Sequence, residues 1–359
     1  MVVAACHSDP FEPPRYGSDG AFAAGPAERL TFTPTNQDGV SFAASVPQWA
    51  DGAAGIIYSF SPRPHQIGEA TVLRCVITCV RVAADPRDQC VAMLPPTGGS
   101  AYWYLCEDRP FQTDSTNILT NATLNSAGEL LYIEMTGRID INAPLAHHAD
   151  LWLGNPERIA DRRHMLTLYH DIVGRVDTSQ SVINWVSEIQ WSGTRAFYAL
   201  GQLKVSGLPD STIAVVRGDI GASGATLSPI AATLRKAYTH MAVIEHGAAI
   251  LVSDTTPVLR RVSLATGATT AFATMPIDTT GRALAISCRP DACALLTRDG
   301  PSSSRPTHWD IWRIDLASAA ITPLRSYSRA IGGSVLSPSS GDLVIVDGKD
   351  LFLLPKAVP

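Results

Sequence analysis

Histidine, a common metal ligand and proton carrier in proteins, occurs nine times in this sequence. His164 and His170 are separated by an even number of positions, so both would share one face of a strand, near Asp161. A solvated turn explains the same spacing without any ligand. His147 and His148 are adjacent, and we expect them in a loop, where they could not easily bind one ion. We therefore predict no metal site and no cofactor.

No serine stands in the sequence setting of a catalytic nucleophile. The segment Gly221-Ala-Ser-Gly224 does not match G-x-S-x-G, and no strand-to-helix elbow surrounds it. Gly218, Gly221 and Gly224 also lack the strand and helix that flank a phosphate-binding turn. We interpret this segment as a loop and predict that the chain has no catalytic residue.

Two of the seven cysteines lie at the ends of a short turn between apolar stretches. Cys288 and Cys293 enclose Arg-Pro-Asp-Ala, and a tight hairpin would place them directly opposite each other. Cross-strand neighbours are close to disulfide distance, so we predict a Cys288–Cys293 disulfide. Disulfides are typical of oxidising compartments, which favours a location outside the cytoplasm.

Four further cysteines form a second group in which three pairings are open. We expect Cys79–Cys90 across a hairpin and Cys75–Cys106 as the other disulfide. Free thiols and a four-cysteine zinc site are the alternatives. Zinc sites favour paired C-x-x-C spacing, which these cysteines lack.

The remaining cysteine, Cys6, follows Val3-Ala-Ala5, which resembles the end of a bacterial lipoprotein signal. In such a signal the cysteine carries acyl chains that hold the protein at a membrane surface. The residues before it supply neither a basic region nor an apolar core, so an ordinary free cysteine is the alternative.

Residues 1–28 are expected to form a tether, because residues 7–28 are rich in Pro, Gly and Ala and have no strand or helix period. Phe11, Tyr16 and Phe22 would give this tether apolar side chains to bury against a partner. A disordered tail is the alternative.

Composition limits the classes of partner. The chain has 359 residues, of which 45% are hydrophobic and 17% charged, with a net charge of −5. Basic residues form no run, which argues against nucleic acid because phosphate binding needs clustered positive charge. No apolar run approaches the ~18 residues that span a bilayer.

A hairpin of two apolar strands and a short Ser/Asp/Gly turn recurs along the chain. It occurs six times, at 46–60, 123–134, 188–199, 242–253, 285–296 and 335–346. A second strand–turn–strand part is clearest at 308–324 and 258–272. Together the two parts give four short strands per repeat, which is typical of a β-propeller blade.

These repeats combine S-x-x-G-x-x-[LI]-x-[YV] with D-[IL]-W-x-[IL]-D-L, as in Asp310-Ile-Trp-Arg-Ile-Asp-Leu316. The combination resembles the repeats of TolB-type six-bladed periplasmic propellers over residues 46–354. The resemblance implies six blades and a periplasmic location. It leaves function open, because such blades occur in binding proteins, peptidase accessory domains and lactonase-like enzymes.

We therefore predict an all-β, six-bladed β-propeller with four-stranded antiparallel blades over residues 29–359. One blade cannot bury both of its faces alone, whereas a closed ring covers each face with a neighbour. The last blade lacks an outer strand, and the alternating segment from Arg29 to Pro34 should supply it and close the ring.

Two sets of side chains in such a ring could bind a ligand or partner. Carboxylates on the innermost strands could meet near the axis, where Glu188, Glu245 and Asp254 are candidates without a metal signature. The triplet Tyr102-Trp103-Tyr104 consists of residue types that are enriched at binding hot spots, although blade cores favour them as well.

These features favour a non-catalytic binding or scaffold protein, periplasmic or otherwise extracytoplasmic, at a bacterial membrane surface. We expect an extrinsic subunit of a larger membrane protein complex; a photosynthetic reaction-centre assembly is one example, which no motif supports. The alternatives are a metal-dependent lactonase-like or glycan-processing hydrolase and a ligand-binding sensor.

Overall fold

A computed structural model describes the parts of the chain that build its sheets. The described residues are 27–29, 42–49, 56–62, 66–67, 70–71, 89–94, 102–107, 115–138, 147–154, 161–172, 175–176, 183–203, 212–230, 238–244, 248–253, 256–277, 281–299, 308–348 and 350–358.

The described residues form 27 β-strands. The first twelve are β1 Glu28–Arg29, β2 Phe42–Trp49, β3 Ile56–Pro62, β4 Gln66–Ile67, β5 Ala70–Thr71, β6 Gln89–Leu94, β7 Tyr102–Glu107, β8 Ser115–Leu124, β9 Leu130–Arg138, β10 His147–Gly154, β11 Arg163–Ile172 and β12 Arg175–Val176. The others are β13 Ile183–Trp191, β14 Ala196–Leu203, β15 Thr212–Ile220, β16 Ala225–Pro229, β17 Tyr238–Ile244, β18 Ala248–Ser253, β19 Val258–Ser263, β20 Thr269–Thr274, β21 Arg282–Cys288, β22 Ala292–Arg298, β23 Trp309–Asp315, β24 Ile321–Tyr327, β25 Ile331–Leu336, β26 Leu343–Asp347 and β27 Asp350–Leu354.

The strands pair antiparallel into five four-stranded sheets, one five-stranded sheet and the small pair β4-β5. We number the large sheets along the chain: sheet I is β2-β3-β6-β7, sheet II β8-β9-β10-β11-β12, sheet III β13-β14-β15-β16, sheet IV β17-β18-β19-β20, sheet V β21-β22-β23-β24 and sheet VI β25-β26-β27-β1. The prediction of four-stranded antiparallel blades is confirmed for five sheets. The prediction of six such blades is wrong, because β12 pairs with β11 and gives sheet II a fifth strand.

The large sheets follow one another around an axis. The first strand of each sheet contacts the first strand of the next, from β8 through β13, β17 and β21 to β25. The first hairpin of sheet I completes the circle, because β2 contacts β25 and β3 contacts β8. The first strands are therefore innermost, and the fold is an all-β propeller. Among the described residues, no helix is long and apolar enough to cross a membrane.

The apolar residues of the middle strands explain this radial packing. Consecutive residues on a strand point to opposite faces. Val216 packs in a core with residues of sheet II, whereas its neighbour Val215 packs with residues of sheet IV. Leu295 and Leu296 of β22 divide in the same way between sheets IV and VI. A strand that is apolar on both faces must therefore have another sheet on each side.

The two ends of the described chain meet in sheet VI. Glu28 and Arg29 of β1 pair antiparallel with Leu353 and Phe352 of β27. The predicted closing strand thus begins where the sequence indicated, while Leu30 to Pro34 lie outside the described residues. Val358 follows β27 into the core, where its backbone N–H donates to the carbonyl of Gly341 at 3.0 Å.

Sheet V contains a partly buried acid in the D-I-W segment. Burial raises the pKa of the Asp310 carboxyl, and hydrogen bonding from the Ser326 hydroxyl and the nearby His308 offset part of that rise. Tyr327 directly follows Ser326 in β24, and burial raises the pKa of this tyrosine to about 12. The two outer strands of sheet V, β23 and β24, therefore each contain a buried or partly buried ionisable side chain.

A glycine-to-alanine change in sheet III should test the close packing. A Cβ at Gly218 would lie 2.1 Å from Cζ of its cross-strand partner Phe197, whose side chain is fully buried. We expect Gly218→Ala to lower the free energy of unfolding by about 1–3 kcal/mol, because the ring has no room to move. Denaturant unfolding measures this. Adding Phe197→Leu should make the double variant less unstable than the sum of the single effects; additivity would contradict the clash.

Stability should depend on pH through Asp310. A folded-state pKa above the ~3.9 of an unfolded aspartate means that the free energy of unfolding falls as pH rises through that interval. Asp310→Asn keeps an oxygen that can accept from Ser326 but cannot ionise. It should therefore raise the free energy of unfolding at pH 7 and reduce the decrease of that free energy between low and neutral pH.

The matched control has the opposite sign. Hydrogen bonding from Arg289 lowers the pKa of Asp291, so its contribution is present above the unfolded pKa and is lost as pH falls through the folded pKa. Asp291→Asn should therefore lower the free energy of unfolding at pH 7. Urea unfolding at pH 3.5 to 7 measures both free energies. If the two variants changed the free energy of unfolding by the same amount and sign, the predicted difference between the Asp310 and Asp291 carboxyls would be wrong.

Candidate functional site

The centre of the ring is built from strands that carry β-bulges. All six inner hairpins have a register shift, for example between Tyr238 and His240 in β17 and between Ala283 and Ala285 in β21. A bulge bends a strand and changes the direction of a side chain. The bulges therefore decide which side chains face the axis.

The bulge in β13 contains an acid with an uncommon backbone conformation. Glu188 lies in the register shift between Ser187 and Gln190 and has a φ of +54°. For a residue with a Cβ this left-handed conformation costs roughly 1–3 kcal/mol. Of the other described non-glycine residues with positive φ, Ala319 and Lys356 lie in turns. The strain at Glu188 is therefore inside a strand, at the centre of the fold.

Glu188 contacts a histidine from the neighbouring sheet. Its Oε1 lies 3.2 Å from Nδ1 of His240, on the innermost strand of sheet IV. The side chains are 31% and 21% exposed, respectively, so solvent reaches both of them. An ionised carboxylate can only accept, so a neutral His240 must carry its proton on Nδ1 and leave Nε2 as an acceptor.

Gln190 fixes the position of one sheet against the next. Its Nε2 donates to the carbonyl of Met241 at 2.8 Å, and its Oε1 accepts from the backbone N–H of Val243 at 2.7 Å. Ser287 acts similarly between sheets V and VI, accepting from the N–H of Leu336 at 2.7 Å. Because Gln190 is two residues from Glu188, this clamp also sets the distance from Glu188 to His240.

The surroundings of the Glu188–His240 pair bear on the predicted metal site and hydrolase within the described residues alone. Among the described residues no three His, Cys, Asp or Glu side chains converge as a metal site would require. Among the described residues, no hydroxyl or thiol hydrogen-bonds to His240. Of the three predicted carboxylates, Glu188 lies on the innermost strand of sheet III, while Glu245 and Asp254 lie outside the described residues.

A second cluster surrounds His164 in sheet II. Its Nε2 lies 2.9 Å from Oδ1 of Asp150, and Thr167 donates to the same oxygen at 2.7 Å. A catalytic triad needs the histidine to bridge hydroxyl and carboxylate with its two nitrogens. Here one nitrogen faces both groups and the hydroxyl donates directly to the acid. The cluster is therefore a polar contact and not an activated nucleophile.

The remaining predicted histidines lie in strands. His147 and His148 begin β10, so the prediction of a loop there is wrong; β10 pairs with β9 and β11 on both sides. His170 is the register partner of His148. The segment Gly221-Ala-Ser-Gly224 joins β15 to β16 as a tight turn, in which the N–H of Gly221 donates to the carbonyl of Gly224.

One predicted disulfide lies within the described side chains. Cys288 and Cys293 are joined, with an S–S distance of 1.98 Å, across the turn of the β21-β22 hairpin. Cys90 and Cys106 are register partners on β6 and β7. Cys75 and Cys79 lie outside the described residues, so the predicted Cys79–Cys90 and Cys75–Cys106 pairings stay predictions.

The predicted partner-binding aromatic residues fall in two regions. Tyr102, Trp103 and Tyr104 lie on β7, the outermost strand of sheet I, with a bulge at Tyr104. Cys6 and the tether aromatics Phe11, Tyr16 and Phe22 lie outside the described residues.

Sequence reasoning missed His240 and Gln190. Nothing near His240 in the sequence marks it, because its partner is 52 residues away. A signal for Gln190 is present: it precedes Trp191 in the hairpin repeat, at the position that Ser287 occupies in sheet V.

No family model and no curated protein matches the chain. Solved structures do match nearly all of it. The extracellular domain of a one-component system from B. thetaiotaomicron, BT4673, has a TM-score of 0.50 and 9% identity, over 96% of this chain and 44% of that chain. The WD40 repeats of RRP9 have a TM-score of 0.49 and 9% identity, over 96% of this chain and 99% of that chain. A catalytically inactive virginiamycin B lyase from Staphylococcus aureus with quinupristin has a TM-score of 0.46 and 12% identity, over 92% of this chain and 98% of that chain. At such identities a likeness is one of fold alone. The ring of antiparallel sheets described above makes this chain a β-propeller.

Proposed function

We propose that this chain is a non-catalytic binding and scaffold propeller that works outside the cytoplasm. In this proposal it is an extrinsic subunit of a larger protein complex at a bacterial membrane surface. The observation that carries the proposal is the position of Tyr102, Trp103 and Tyr104 on an outermost strand.

An outermost strand presents one edge that its own sheet does not pair, and proteins usually protect such edges with proline or charge. The outermost strand β24 contains Pro323, and β16 ends at Pro229. Strand β7 has the sequence YWYLCE, with no proline and a single charge at its end. An aromatic edge of this kind suits a partner that adds a strand or buries the rings.

Two further observations support the location and the scaffold role. The Cys288–Cys293 disulfide is typical of an oxidising compartment. The clamps of Gln190 and Ser287 hold neighbouring sheets in fixed positions, and a rigid surface loses little conformational entropy when a partner binds. A lipid anchor at Cys6 would add attachment to the membrane surface.

Removal of the aromatic edge should abolish partner binding. We expect the tagged full-length chain to co-purify with a membrane complex from mildly solubilised membranes of its source organism. Trp103→Ser should weaken that recovery ~30-fold or more, the loss expected for a hot-spot residue. Trp103→Phe should retain binding, and thermal unfolding should confirm that both variants fold. A wild-type chain that always purifies alone would contradict the proposal.

The oxidation state of Cys288 and Cys293 tests whether the protein works in an oxidising compartment. In protein isolated from its source organism, alkylation before reduction should leave Cys288 and Cys293 unmodified, and peptide mass analysis should show them linked. Reduction should lower the free energy of unfolding by about 2 kcal/mol, the chain-entropy value for so short a loop. The variant Cys288→Ala/Cys293→Ala should be insensitive to reductant. Quantitative alkylation of native protein would place it in a reducing compartment.

A further inference from the structure

The Cys288–Cys293 disulfide lies beside the sheet in which the ring closes. The turn that it encloses belongs to sheet V but contacts sheet VI, which contains both ends of the described chain. Cys288 and Cys293 themselves pack in the core between sheets IV and V. Because side chains alternate along a strand, the disulfide and the contacts to sheet VI lie on opposite faces of one hairpin.

The two residues on either side of Cys288 contact two parts of sheet VI. The Ser287 hydroxyl accepts from the backbone N–H of Leu336 at 2.7 Å, at the end of β25. Nη1 of Arg289 donates to the carbonyl of Val358 at 2.8 Å, beyond the end of β27. A cysteine that is covalently joined to β22 therefore separates two residues that hold sheet VI.

The segment that follows β27 is closely packed at this contact. The N–H of Val358 donates to the carbonyl of Gly341 at 3.0 Å, and the N–H of Lys356 donates to Oδ1 of Asp342 at 2.7 Å. A Cβ at Gly341 would lie 2.1 Å from the Val358 oxygen and 2.5 Å from Nη1 of Arg289. Val358 is fully buried, so displacement of Arg289 would remove a donor from a buried carbonyl, which is costly.

Three restraints keep Arg289 in place. Its Nε and Nη2 donate to the carboxylate of Asp291 at 2.7 and 3.0 Å, and its backbone N–H donates to the carbonyl of Ala292 at 2.9 Å. Asp291 is 61% exposed, so this ion pair contributes little by itself. The disulfide joins the residues directly outside this turn, Cys288 and Cys293, and is the strongest of the three because it is covalent.

We propose that the Cys288–Cys293 disulfide is a redox-sensitive switch of ring closure, because its formation holds Ser287 and Arg289 against sheet VI. In the reduced protein the turn is less restrained, and the segment after β27 detaches more often. The oxidised and reduced proteins therefore differ in how firmly the ring is closed. The switch does not depend on a partner at β7.

Oxidation in this proposal is a thiol–disulfide exchange with an external protein disulfide. The thiolate of Cys288 attacks first, because Cys288 is half-buried whereas Cys293 is fully buried. This attack forms a mixed disulfide and releases one sulfur of the oxidant. The thiolate of Cys293 then attacks the Cys288 sulfur and releases the other. Two electrons and two protons pass to the oxidant, which leaves as a dithiol.

Hydrogen exchange with mass spectrometry at pH 7.5 tests the proposal on the full-length protein. Without reductant, so that the other cysteines are unchanged, we compare the oxidised wild type with Cys288→Ala/Cys293→Ala. Amides in peptides that cover residues 350–358 should exchange at least about tenfold faster in the variant, because local opening becomes more frequent. Peptides that cover β14 and β15 of sheet III should exchange at the same rate in both proteins.

A second variant shows whether the effect passes through the two residues beside Cys288. Ser287→Ala/Arg289→Ala keeps the disulfide and should exchange as fast at 350–358 as the cysteine variant. Combining all four changes should add no further increase. The matched control is Arg217→Ala, which removes an arginine that likewise pairs with an aspartate two residues later, Asp219, and should leave exchange at 350–358 unchanged.

Two results would overturn the proposal. One is equal exchange at 350–358 in the wild type and the cysteine variant, and the other is an equal increase in every sheet, which would show general destabilisation. Thermal unfolding should establish that each variant folds. If the cysteine variant does not fold, reduction of the folded wild type with a phosphine provides the same comparison, with the same two outcomes against the proposal.

Discussion

The fold depends on the need to cover two apolar faces of every sheet at once. In sheet III, Val215 and Val216 are consecutive and buried, and they belong to cores on opposite sides. No rotation of the strand can hide both of them behind one partner. Only a neighbouring sheet on each side satisfies them, and the same holds for Leu295 and Leu296 of sheet V. Successive sheets must therefore continue until the last meets the first, as β25 meets β2. Closure in turn brings the first strands together at the axis, where Gln190 and Ser287 reach the strand of the next sheet.

Much of this fold could be predicted from the sequence, because its units are local. The β21-β22 hairpin has apolar residues on both sides of a four-residue turn, so the opposition of Cys288 and Cys293 follows from the chain alone. The number of strands per sheet was less accessible. Strand β12 has only two residues, Arg175 and Val176, and two residues show no periodicity. The position of His148 in β10 was missed because its strand pairs with β9 and β11, which local sequence does not reveal.

The contact between Glu188 and His240 could be predicted only in part from the sequence. Glu188 could be named because the repeat pattern put it on an innermost strand, where residues of different sheets can meet. Its partner could not, because His240 is 52 residues away and the contact needs two independent conditions. The bulge between Ser187 and Gln190 must turn the carboxylate, and the Gln190 clamp must hold sheet IV at the right distance. Neither condition leaves a pattern in the residues beside His240.

The inner bulges separate what the ring requires of every sheet from what depends on the individual residue. Every inner hairpin has a register shift, so the bulge itself belongs to the way a strand bends at the crowded centre of the ring and is no evidence of a site. What differs is the residue that occupies it. In β21 the bulge holds Leu284 and in β25 it holds Gly332, both compatible with packing alone. In β13 it holds Glu188 in a conformation that glycine would adopt more easily. A repeat fold keeps in common what the ring needs, and the glutamate in β13 departs from its equivalents against its own backbone preference.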